Sequence, residues 1–159
     1  MKAGRSMNVR RLMTALVLCP LAAPLPAAAV LGGDLASVGI DQATMQARLQ
    51  SSSAGSYTLH EMSAPTGTKV REYVSSAGKV FAVTWRGPAI PNLRQLLGPY
   101  FDRYQQAARV YKAQHRGRGP MLVRADGLVV QTAGHARAFS GRAYAPGMVP
   151  SGVSVNEIQ

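Results

Sequence analysis

Three histidines, His60, His115 and His135, hold the chain's imidazole chemistry. No two stand at the i,i+2 or i,i+4 spacing that turns a pair of imidazoles toward one metal ion. His60 and Met62 share one face of an alternating stretch, a pairing of imidazole with thioether that suits copper. Two ligands do not make a site, so the sequence predicts no metal centre and no cofactor. Ser140, His135 and Asp126 are the residue types of a nucleophile, its base and an orienting acid, as a hydrolase would need. No local motif supports them: the chain has no G-x-S-x-G, no H-E-x-x-H, no Walker loop and no cysteine pair. Gly117-Arg118-Gly119 is too short for a phosphate loop and reads as a basic turn. Glu61 and Glu72 lie on the two arms of one expected hairpin, where basic neighbours such as Arg71 are their expected partners.

Charge is the stronger signal. Eighteen Lys and Arg against seven Asp and Glu give a formal net charge of +11. On a helical wheel Arg94, Arg109, Lys112 and Arg116 fall near one flank, and Arg118 follows in the next loop. Such a patch suits an anionic partner: lipopolysaccharide phosphate, phospholipid head groups, an acidic polysaccharide or an acidic protein. A solvated helix face is the plainer account of the same residues. No nucleic-acid recognition motif is visible, and an exported protein rarely meets nucleic acid.

The elements that must position these residues centre on Lys69 to Tyr111. Val70 to Ser75 and Val80 to Trp85 alternate with period two around a loop containing Gly78, the pattern of a hairpin. Phe81, Val83 and Trp85 form its larger apolar face and are expected to meet the core. Gly87-Pro88 ends the second strand. Asn92 is a good N-cap, and Gln95 three residues later completes a capping-box pattern. Leu93, Leu96, Leu97, Tyr100, Phe101, Tyr104, Ala107, Ala108 and Tyr111 then follow at helical spacing. Gly98-Pro99 either kinks that helix or ends one turn and starts another. Phe81, Val83, Trp85, Leu96, Leu97, Phe101 and Tyr104 are expected to pack together between sheet and helix. Residues 57–63 read as a first strand, 121–125 and 128–132 as a hairpin across Asp126-Gly127, and 135–144 as a last strand. The predicted class is α+β: an antiparallel sheet in the order β-β-β-α-β-β-β with one long, Pro-interrupted helix on one face.

The first 29 residues read differently. Lys2, Arg5, Arg10 and Arg11 precede a short apolar stretch that ends at Ala27 and Ala29, the pattern of a cleaved secretory leader. Pro20, Pro24 and Pro26 argue against a membrane anchor, so no span is expected after processing. Leu18 before Cys19 argues against a lipoprotein signal, which wants a small residue there. Cleavage leaves 130 residues with a formal charge of +7 and no cysteine, fitting one disulfide-free domain in the periplasm or outside the cell. Residues 30–56 are expected to be a mobile lead-in with a short helix at 41–50 capped by Asp41. Residues 57–146 are the expected domain, and 147–159 a surface tail.

The stretch REYVSSAGKVFAVTWRGPAIPNLRQLLGPYF, then GLVVQTAGHARAFSGRAYAP and PSGVSVNEI, resembles the proteobacterial family described as domain of unknown function 2844. The resemblance implies an exported protein and carries no activity, ligand or catalytic residue. The sequence therefore points to a non-enzymatic envelope binding module for an anionic partner. Two other readings are a hydrolase using His135 and Ser140, and an accessory protein that binds other proteins at a sheet edge.

Overall fold

The computed structural model describes residues 31–115, 117 and 119–159. The expected leader at 1–29, and Arg116 and Arg118 of the expected basic patch, lie outside the described residues.

Seven antiparallel strands form one sheet: β1 (Arg48–Ser53), β2 (Tyr57–Ser63), β3 (Lys69–Ser75), β4 (Val80–Gly87), β5 (Met121–Ala125), β6 (Leu128–His135) and β7 (Ala138–Tyr144). Their spatial order is β1-β2-β3-β4-β7-β6-β5. This corrects the expected β-β-β-α-β-β-β order with one long helix. The chain instead runs through a helix α1 (Leu35–Thr44), four strands, α2 (Leu93–Leu97), a 3₁₀ turn (Gly98–Tyr100), α3 (Phe101–Gln114) and three strands. The break between α2 and α3 falls where Gly98 takes φ 46°, a left-handed value that a glycine adopts cheaply, with Pro99 opening the 3₁₀ turn.

The N-terminal segment departs most from expectation. Asp34, not Asp41, caps α1, accepting from the Ser37 amide at 3.2 Å. The helix stops at Thr44, and Gln46 at φ 49° turns the chain into β1. β1 is a polar edge strand, Arg-Leu-Gln-Ser-Ser-Ser, with only Leu49 partly buried. Its pairing with β2 supplies the order that its own residues do not encode. The lead-in is docked: Leu31 is fully buried, and its amide donates to the Leu96 carbonyl at 3.0 Å.

The two faces of the sheet carry separate cores. One core, under the helices, gathers Met62, Val70, Val83, Trp85, Leu96, Leu97, Leu128, Val130 and Ala143. Phe101 and Tyr104 are only partly buried against it. Phe81 lies in the other core, which corrects the expected grouping. The register steps from Tyr73↔Ala82 to Val74↔Val80, leaving Phe81 as the extra residue of a β-bulge. The bulge turns Phe81 to the second face, where it meets Tyr73, Ala82 and Ile158. The segment expected as a surface tail thus packs on that face, through Val149, Val153, Val155 and the fully buried Ile158. β6 also runs on to His135, past its expected end at residue 132, so the turn comes at Ala136 and Arg137. Among the described residues, no helix is long and apolar enough to cross a membrane.

Candidate functional site: a basic cleft on the second sheet face

Period two sends alternate residues of β3, β4 and β7 to the face away from the helices. Because β4 pairs with β7, two rows of polar side chains run across that face. One row is Glu61–Arg71–Thr84–Arg142–Gln131, and the next is Ser63–Lys69–Arg86–Ser140–Ala133. Lys69 and Arg86 are directly opposed, about 5 Å apart at Cβ, while Arg71 and Arg142 flank Thr84 in the neighbouring row. The packed tail covers the other part of the face. Between tail and rows lies an open cavity of ≈ 600 Å³ lined by Lys69, Arg71, Thr84, Arg86, Ser140 and Arg142.

Three of the four cations have protein partners. Arg71 Nε donates to Glu61 at 2.7 Å and Lys69 Nζ at 3.2 Å, and these two bonds hold the Glu61 carboxyl below its ordinary range. Arg71 also donates to the Gln159 main-chain oxygen at 3.0 Å. Arg142 ties down the tail: it donates to Gln131 and to the carbonyl oxygens of Val155 at 2.8 Å and Ile158 at 3.3 Å. Arg86 is exposed, and its guanidinium bonds no group among the described residues. With only Glu61 inside the two rows, the cleft keeps an excess of positive charge facing water.

The residues singled out from sequence fall elsewhere. Arg94 stacks over the Phe101 ring at 4.3 Å and lies 3.6 Å from Asp102. Arg109 donates to Gln105 at 3.0 Å one helical turn away. Lys112 lines a neighbouring cavity beside Tyr104 that shares Trp85, Tyr111, Met121 and Ser140 with the cleft. Ser140 and His135 share the cleft face, but their direct partners are Ala133 and Ala138. Asp126 sits in the β5–β6 turn at the opposite end of β6 from His135. Among the described residues, no hydrogen bond joins these three, and no group of three His, Cys, Asp or Glu is placed to hold a metal. The Lys69/Arg71, Arg86 and Ser140/Arg142 alternation was visible in the sequence. The adjacency of β4 and β7, which makes a cleft of it, was not.

The helix face of the sheet holds a second polar group that sequence reading missed. Across the strands run Ser51, His60, Glu72, Val83, Ala143, Val130 and Val123, polar at the β1 end and apolar beyond. Ser51 Oγ lies 2.8 Å from His60 Nδ1. Glu72, expected to pair with a basic neighbour, is buried instead against Asp41 of α1. Gln95 does not close a capping box; its side-chain amide donates to Asp41. Asn92 alone caps α2, accepting from the Gln95 amide at 3.3 Å.

Residues 27–158 match a family model described as "Protein of unknown function (DUF2844)". No curated protein and no solved structure gives a significant match.

Proposed function

We propose that this chain, which belongs to the DUF2844 family, is a non-enzymatic binding module for an anionic partner of the cell envelope, held in the cleft on the second sheet face. The carrying observation is the excess of positive charge, with Lys69, Arg71, Arg86 and Arg142 set against Glu61 alone around an open ≈ 600 Å³ cavity. Adjacent like charges on a sheet repel one another, and an anion seated among them relieves that cost. The reading places the protein in the periplasm or outside the cell, after cleavage near Ala29. The helix cations Arg94, Arg109 and Lys112 enter it as a second basic surface, with Lys112 on a cavity that adjoins the cleft.

The probe is sedimentation with phosphatidylglycerol vesicles and with lipopolysaccharide across a salt series. Binding through exposed charges weakens as salt rises, because screening acts over about 10 Å at 0.1 M. Arg86→Glu removes the one cleft cation without a protein partner and is expected to cut binding at least tenfold. Arg109→Glu on the helix is expected to leave binding nearly unchanged. Salt-independent binding, no binding, or loss only in the helix variant overturns the cleft as the surface.

A further inference from the structure

Asp41 and Glu72 are buried to 0% and 1% exposure where α1 meets β3. One oxygen of Asp41 accepts from Gln95 on α2. Its other oxygen, both oxygens of Glu72 and Nε2 of His60 are buried without a conventional donor or acceptor among the described groups. No Lys or Arg reaches either carboxyl among the described residues; the groups facing Glu72 are Asp41 from α1, His60 from β2 and Val83 from β4. Two ionised carboxyls cannot share an apolar interior, whereas one proton between them makes a donor of one and an acceptor of the other. Apart from this contact, α1 buries only Ser37 and Val38. The row opens toward water at its far end, where exposed Ser51 of the edge strand β1 bonds His60 of β2.

We propose that α1 is held on the sheet by a proton-controlled latch: a proton shared by Asp41 and Glu72 closes the contact, and its loss frees α1 from β3 and α2. Release uncovers Val38 and the polar row, while the β2–β4 ladders keep their own hydrogen bonds. The inference is independent of the cleft on the other face.

Hydrogen exchange read by mass spectrometry tests it from pH 5 to 10, with each peptide corrected for its intrinsic rate. Protection of residues 35–44 is expected to fall by up to about tenfold per pH unit as pH rises toward about 9, because the closed pair still holds a proton that opening releases, and to level off once the closed pair has ionised. Protection of residues 70–74 and 82–85 is expected to stay above that of α1 at every pH, because α1 opens while the ladders remain closed, and serves as the internal control. Glu72→Gln supplies a donor that does not titrate, so protection of α1 is expected to become independent of pH. Asp41→Asn is the second variant, with the same expectation, should Glu72→Gln fail to fold. Protection of α1 equal to that of the sheet across the range overturns the latch, since α1 would then open only with the whole fold. So does an unchanged pH dependence in the variant that folds. Protection of α1 raised by zinc and lost with a chelator overturns it too, since a metal and not a proton would then join the carboxyls.

Discussion

At the scale of single residues, burial separates side chains that the helical pattern treated alike. Leu97 and Phe101 both belong to the apolar stripe, yet Leu97 is fully buried while Phe101 is partly exposed beneath the Arg94 guanidinium. Leu97→Ala is expected to cost about 2–5 kcal/mol, the range for emptying a closed site. Phe101→Ala is expected to cost less, about 1–2 kcal/mol, since water already reaches part of the ring. Urea unfolding of both variants measures the difference, and an equal loss would place Phe101 in the core after all. Gly141 shows the same close fit from the other side: a Cβ there would fall on the Trp85 ring. Neither Trp85 nor Gly141 announces that contact in sequence, because the two strands meet only after the helices have crossed over.

At the scale of elements, the chain from Pro146 onward is the clearest case of structure set by distant contacts. Its Pro and Gly content reads as surface tail, and its backbone does run in short turns. Arg142 nevertheless binds two of its carbonyl oxygens, and Tyr73 Oη donates to the Gln159 main-chain oxygen at 2.9 Å. Ile158 is buried in one cluster with Phe81, Tyr73 and Ala82. Ile158→Ala is expected to cost about 2–5 kcal/mol, an effect no surface tail would show. Thermal melting of the variant checks it, and a change under about 0.5 kcal/mol would mean that the tail only rests on the sheet.

For the whole molecule, the titrating groups set opposite limits on stability. Burial first, then the neighbouring Asp41, push the Glu72 carboxyl up to about 9, and burial also raises Asp41. The folded state then holds a proton that the unfolded chain gives up at ordinary carboxyl values. Stability from this pair is complete in acid and declines as pH rises from about 4.5 to about 9. His60 is lowered by burial, and Glu61 by Arg71 and then Lys69. Their contributions run the other way, present above the unfolded values and lost as pH falls. A melting temperature that peaks in mildly acid to neutral solution is expected, with a decline on the alkaline side. Glu72→Gln is expected to flatten that alkaline decline and leave the acid one, as a series of melts across pH would show. A wild-type melting temperature that keeps rising to pH 9 would contradict the buried pair.

What the sequence determined by itself is what neighbours along the chain decide. Period two placed six strands, Asn92 capped α2, and Gly98-Pro99 broke the helix, because each rests on φ, ψ and hydrogen bonds within a few residues. The excess positive charge was also legible, since it is a matter of counting. The tertiary structure decided the rest. Nothing local pairs β4 with β7, so the basic rows assembled on the sheet and not on the helix flank. β1 is polar and gains its order from β2. The bulge at Phe81 reverses one side chain without disturbing the alternation that the eye reads. Asp41 and Glu72 look like two ordinary surface acids until α1 folds over β3, because the cost of burying a charge depends on what surrounds it.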